Sequence, residues 1–230
     1  MSTTDLQTNQ PMPQAAKPYK GAAMEGLIAR WYTNVRKQDP DLDRVVRQVS
    51  DLLPAGSRIL EVAPGPGYLA IELAKLGKYQ VVGMDISKTF VQIAQDKARE
   101  TGVAVEFQRG NASNMPFDAD SFDFIICRAA FKNFTEPVQA MHEMQRVLKP
   151  GGKALIQDLR RDASSEDIDV EVNSMGLNWI NKLLTTWTFR NMLLKNAYTK
   201  AEIEQFVLQT DFVGHDIQEN AVGMDIWLEK

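Results

Sequence analysis

Apolar and polar positions alternate along this chain in two periods, and the period changes define its elements. From residue 22 the spacing is helical, with Met24, Leu27, Ile28, Trp31 and Val35 on one face. Asp39-Pro40 reads as an N-cap followed by proline at the first helical position. Leu42, Val45, Val46, Val49, Leu52 and Leu53 then form a second apolar stripe, closed by Pro54-Ala55-Gly56. Short apolar runs at 58–62, 80–84, 105–108, 122–127 and 153–159 predict five strands. Helical patterns at 67–76, 87–101 and 137–148 separate most of them, and Pro150-Gly151-Gly152 makes a turn before the fifth strand. Past Leu159 the rhythm breaks. Leu177, Ile180, Leu183, Leu184 and Trp187 are spaced for a helix, and a second apolar cluster follows at 189–194. Thr199 and Glu202 fit a capping box that opens another helix. Strands at 213–218 and 223–228, joined around Asn220, close the chain as antiparallel neighbours.

Strands alternating with helices predict an α/β fold with a doubly wound parallel sheet. The fourth strand is apolar without a break, as a strand covered on both faces should be. Residues 1–20, polar and carrying Pro11, Pro13 and Pro18, read as a flexible tail. Residues 21–230 read as a single domain, with a helical insertion at about 160–200.

Composition narrows this picture only a little. The net charge of −4 is spread along the 230 residues, so no nucleic-acid partner is expected. Cys127 is the single cysteine, which excludes an intramolecular disulfide framework and a multi-cysteine zinc site; no metal is expected. No run approaches the roughly 20 apolar residues of a membrane span, and no leader pattern opens the chain. A cytoplasmic protein is expected.

Candidate chemistry gathers where strands end, because ligands of open α/β sheets sit beyond the carboxyl ends near the switch in strand order. Ile59 to Ala70 run from a strand through Ala63-Pro64-Gly65-Pro66-Gly67 into a helix. Gly65 and Gly67 let a ligand approach the backbone, and the helix start offers free N–H groups. Gly65-x-Gly67-x-x-Ala70 also satisfies the dinucleotide-binding spacing, which keeps a nicotinamide-dependent oxidoreductase open. Glu61 repels a pyrophosphate and attracts an ammonium or sulfonium; the plainer role is pairing with loop amides. Asp85, twenty positions after Gly65, suits an acceptor for both ribose hydroxyls or a helix-capping acid. Ile86 offers an apolar face to a purine. Asn111-Ala112 sits where an amide meets an adenine edge, or where a turn asparagine is ordinary.

Together these residues resemble the class I S-adenosylmethionine-dependent methyltransferases of the small-molecule type. Glu61-x-Ala63-x-Gly65-x-Gly67 resembles the family's first motif, with alanine in place of its first glycine. Asp85 resembles its ribose-binding acid. Gly110-Asn111-Ala112 with Met115-Pro116-Phe117 resembles its G-D-A-x-x-L-P-F loop, with Asn111 in place of the aspartate. Phe122-Asp123-Phe124-Ile125 is similar to its fourth-strand motif, and Arg146-Val147-Leu148-Lys149-Pro150-Gly151-Gly152 to its turn before the fifth strand. The resemblance implies a Rossmann-like seven-stranded sheet with an antiparallel last strand. It also implies S-adenosylmethionine as cofactor, and in-line methyl transfer that needs no dedicated base. It further implies an N-terminal helix, around Trp31 and Tyr32, that covers the cofactor. A non-catalytic module with the same fold is the third reading.

The acceptor is expected to be a small molecule with an anionic group and an apolar body. Arg128 and Lys132 are suited to hold the anion and Asn133 to orient the acceptor, or else they are solvated loop residues. Arg128 also borders the expected cofactor site. Asp158, Arg160 and Arg161 add polar groups at the fifth strand's end. The apolar stripe in 167–198 is either a lid or ordinary core. His142 and His215 read as structural residues.

Overall fold

The computed structural model describes residues 19–20, 24–35, 41–174 and 178–230. The expected tail up to residue 18, the start of the first helix, the Asp39-Pro40 cap and Leu177 lie outside them, as do the side chains of Trp31, Val35 and Ile180. Two helices, α1 (Gly26–Val35) and α2 (Leu42–Leu52), precede the sheet. Then come β1 (Arg58–Val62), α3 (Tyr68–Lys75), β2 (Gln80–Asp85), α4 (Lys88–Thr101), β3 (Val105–Arg109) and β4 (Phe122–Arg128). A 3-10 turn (Phe131–Asn133) leads to α5 (Pro137–Val147) and β5 (Leu148–Leu159). After α6 (Ser165–Ser174), α7 (Trp179–Thr188), a π-helical turn (Phe189–Leu193) and α8 (Lys200–Val207), the chain closes with β6 (Gly214–Glu219) and β7 (Gly223–Glu229).

The seven strands run in the order β3-β2-β1-β4-β5-β7-β6. β1 to β5 are mutually parallel, and β7 lies antiparallel between β5 and β6. The expected α/β sheet with its inserted antiparallel strand is therefore present. Alternation along β1 sets the two layers. Leu60 and Val62 face a core shared with Met141 and Met144 of α5 and Ile203 and Val207 of α8. Ile59 faces the opposite core, with Val45 and Val49 of α2 and Leu69 and Leu73 of α3. Glu61 has the parity of Ile59, which puts its carboxylate on the α3 side.

Two local expectations change. Pro150-Gly151-Gly152 does turn, but inside β5: Leu148 stands opposite Phe122 and Lys153 opposite Phe124, so the intervening residues bulge out. They bulge without leaving the sheet because Gly151 N–H and Gly152 C=O bond the main chain of Lys230. The helix α6 had no counterpart in the periodicity, since Ile168, Val170 and Val172 alternate as in a strand. A capping box decides the matter: Ser164 Oγ accepts from Asp167 N–H at 3.0 Å, and Asp167 Oδ2 accepts from Ser164 N–H at 3.0 Å. Among the described residues, no helix is long and apolar enough to cross a membrane.

Candidate active site

Strand order switches between β1 and β4, and both strands leave the sheet through an alanine in the left-handed region, Ala63 and Ala129, each with φ of 56°. An alanine held there costs on the order of 1–2 kcal/mol. Each is held by a neighbouring strand on its outer side. Ala63 N–H donates to Met84 C=O at 2.8 Å, and Ala129 N–H donates to Gln157 C=O at 2.7 Å. The two loops are thus drawn apart, one toward β2 and the other toward β5, at the point where a ligand of this fold enters.

On the β2 side the loop is built for close approach. Gly67 begins α3 at φ 78°, and a Cβ there would come within 2.7 Å of the Phe107 ring and 2.8 Å of Ala94 Cβ. A glycine N-cap has no side chain to satisfy the first turn of the helix. Glu61 fills that role from β1, its Oε2 accepting from Ala70 N–H at 2.9 Å. Asp85, only 6% exposed, ties this loop to the next. Its Oδ2 accepts from Gly65 N–H at 3.0 Å and its Oδ1 from Ser87 N–H at 2.8 Å. Burial nevertheless pushes its carboxyl up to about 6, against the pull of those N–H donors. Capping of α4 falls to other groups: Ser87 Oγ accepts from Phe90 N–H, and Glu25 accepts from the amides of Lys88 and Thr89.

Those contacts seat α1. Ser87 Oγ donates to Met24 C=O at 2.6 Å, and Tyr68 Oη donates to Thr33 C=O at 3.1 Å. The helix thus spans from the start of α4 to the start of α3, over the glycine loop, with the Tyr32 ring edge-on to Phe90 at 5.9 Å. Ile86 is half-buried, and its C=O accepts from Arg109 Nε. Asn111 Oδ1 accepts from Ser113 N–H at 3.1 Å, the turn geometry of an asparagine, which leaves one lone pair of that oxygen for another donor. Ala112 is buried in the core beside it.

The β5 side holds charge differently. Lys132 Nζ donates to Asp158 Oδ1 at 2.7 Å and to Ala129 C=O at 2.8 Å, with side chains only 8% and 5% exposed. Lys132 N–H and Leu159 N–H also donate to Asp158. Lys132 is therefore neither a solvated loop charge nor an open cation. Arg128 Nε donates to Gln157 Oε1 at 3.0 Å, and Gln157 in turn donates to Asp225. Asn133 is linked through its side chain to Asn196 at 3.5 Å. Burial raises the Cys127 thiol well above its ordinary value and Asp158 adds to the shift, so it is no nucleophile at neutral pH. His142 lies in α5 and His215 is exposed on the edge strand β6. Arg160 serves structure, bonding Glu219 and Asp167, and Arg161 bonds Glu202.

Two groups escaped the reading by periodicity and motif. Tyr19 pairs with Phe134, Lys20 N–H donates to Asn133 C=O, and Lys20 Nζ donates to Tyr198 Oη. Burial pushes the Tyr19 hydroxyl up to about 12, and nearby Tyr32, Asp85 and Asp158 push the same way. Its signal was a single aromatic in an otherwise polar tail. The other is Glu143. It accepts from both Arg146 and Met115 N–H, while Arg146 also donates to the carbonyls of Met115 and Phe117. This explains why the Met115-Pro116-Phe117 loop and the turn beginning at Arg146 occur together.

Comparison with known proteins places this geometry in a family. A family model described as "Methyltransferase domain" matches residues 60–156. A 2-phytyl-1,4-naphtoquinone methyltransferase of Synechococcus elongatus is 35% identical over 153 residues, 62% of this chain and 66% of that protein. A demethylmenaquinone methyltransferase of Deinococcus radiodurans is 32% identical over 164 residues, 68% of each chain. Among solved structures, a putative S-adenosyl-L-methionine-dependent methyltransferase of Methanococcus maripaludis superposes with a TM-score of 0.69. It covers 95% of this chain and 97% of that one at 18% identity, a likeness of fold. The chain belongs to the class I S-adenosylmethionine-dependent methyltransferases. It is an enzyme of that class, and the nicotinamide-dependent and non-catalytic readings are set aside.

Proposed function

We propose that this chain binds S-adenosylmethionine at the β1–β2–β3 ends and methylates a small quinol-like ring carrying an apolar substituent at the β4–β5 ends. The observation that carries the cofactor assignment is Asp85: a carboxylate buried beside the glycine loop, whose N–H donors do not offset the cost of its burial. Two ribose hydroxyls are the kind of additional donors that would hold it ionised. The site residues fit the group in other respects. Gly65 and Gly67 keep the loop free of side chains, and Glu61 places negative charge near a cationic ligand. Ile86, Asn111 and Ala112 border the adenine end, and Tyr32 on α1 covers it.

When bound, S-adenosylmethionine supplies a methyl group on a sulfonium, an electrophile with a neutral leaving group. The protein then has to align the acceptor and exclude water. Lys132 and Asp158 form a pair of no net charge, and Arg128 beside them supplies the positive potential. That potential favours an acceptor that has lost its hydroxyl proton, the anionic group expected from the sequence. Asn133 is suited to orient the ring. The relatives' names support a quinone-type acceptor.

Calorimetric titration with S-adenosylmethionine and its demethylated product tests the cofactor half. Methylation assays with short-tailed naphthoquinols, beside catechols and amines, test the acceptor half. Binding of neither nucleoside sinks the first assignment. Turnover only of cationic acceptors sinks the second.

A further inference from the structure

The amphipathic helix α7 is turned inside out. At 100° per residue, Trp179, Leu183, Leu184 and Trp187 fall on one face, and that face points outward: they are 76%, 68%, 61% and 54% exposed. Among its described side chains, the half-buried positions are Thr185, Thr186 and Thr188. Inward packing in this insertion is done by others. Ile168 and Val172 of α6 meet Phe189, Leu194 and Val222, a cluster to which the described side chains of α7 contribute no buried residue. A helix that hides threonines and displays tryptophan and leucine has its apolar face set for something outside the chain.

Charge narrows what that something is. Residues 178–200 contain Lys182, Arg190, Lys195 and Lys200 and neither Asp nor Glu, in a protein of net charge −4. The acidic helix α6 is partly neutralised from within, Asp169 by Arg190 and Asp167 by Arg160. An apolar stripe of Trp and Leu inside a purely cationic segment is the composition of helices that lie in the headgroup layer of a membrane.

We propose that α7 docks this enzyme on an anionic lipid surface, with Trp179, Leu183 and Leu184 entering the interface and Lys182 and Lys195 meeting the headgroups. Neither the methyl acceptor nor the cofactor enters this argument, so the proposal stands or falls apart from the assignments above.

Flotation of the full chain with vesicles tests it, comparing phosphatidylcholine alone with an equal mixture of phosphatidylcholine and phosphatidylglycerol. The protein is expected to float with the mixture and to be released by high salt. The double substitution Trp179→Glu with Leu183→Glu is expected to lower the bound fraction about tenfold or more while leaving the unfolding temperature unchanged, since both side chains are exposed. Failure to float with the mixture overturns the proposal, as does equal flotation with the neutral vesicles. A concentration-dependent dimer in sedimentation velocity that the double substitution abolishes also overturns it, because a second copy would then own the face.

Discussion

The two sides of the switch point solve the problem of buried charge in opposite ways. On the β2 side, backbone amides meet the acids: Glu61 accepts from Ala70 N–H, and Asp85 accepts from the amides of Gly65, Ser87 and Ile86. No described cation neutralises Asp85, and its carboxyl rises to about 6. On the β5 side, Asp158 has a full partner in Lys132 and two amides besides. One side keeps an acid in want of donors, which suits a site that a hydroxyl-bearing ligand completes. The other keeps a completed ion pair, which suits a fixed field. What differs is whether the ligand is part of the electrostatic balance.

The largest test of that contrast is Asp85→Ala. Two charge-assisted bonds at about 1.5–3 kcal/mol each are at stake, so affinity for the demethylated cofactor should fall on the order of a thousandfold by calorimetry. Near-wild-type affinity would mean that Asp85 serves only the loops. Next in size is Lys132→Met, which leaves Asp158 buried and uncompensated. Urea denaturation should show a loss of about 3–5 kcal/mol, and Lys132→Met with Asp158→Leu should recover most of it. Cofactor affinity is expected to stay within a few-fold in both, which separates the two sides; a parallel collapse of affinity would merge them.

Titration gives a smaller effect of defined sign. The folded apo carboxyl of Asp85 lies above its unfolded value, so ionising it opposes folding. That penalty is absent below the unfolded pKa and fully present above about 6. Donors from a ligand favour the ionised form. Cofactor affinity should therefore be flat above pH 6 and fall by up to about tenfold per unit below it. In Lys132→Met the same profile should persist, because its origin is on the other side. Smallest of all, Ala63→Gly and Ala129→Gly should each raise the urea midpoint slightly. Relief of the left-handed alanine, about 1 kcal/mol, is partly offset by the greater freedom of glycine in the unfolded chain. Destabilisation by either would show that the methyl packs against something worth more than the strain.

Much of the β2 side was legible in the residue order. Strand, glycine loop and helix follow one another within a dozen positions, and the Gly65–Asp85 interval is fixed by one β-α-β unit. The helix α4 is capped by Ser87 and the box at Thr199 and Glu202 forms, since capping depends on residues three apart. The acceptor side was less legible for a physical reason. Lys132 and Asp158 are 26 positions apart and meet only because β4 pairs with β5. Nothing local distinguishes such a lysine from a solvated one. In α6 the period-two pattern of Ile168, Val170 and Val172 competed with the Ser164–Asp167 box, and the box prevailed.

The sequence by itself determined the alternation of elements, the order of the motifs and the identity of the loop from Ile59 to Ala70. Each depends on contacts within one turn or one β-α-β unit. Only the tertiary structure decided that Glu61 caps a helix whose own cap is glycine, that Tyr19 pairs with Phe134, and that Lys132 is paired. The structure also decided which way α7 faces. Amphipathic spacing specifies a stripe but carries no direction; direction comes from what the rest of the fold has already buried, and here Ile168, Val172, Phe189 and Leu194 had taken the inside.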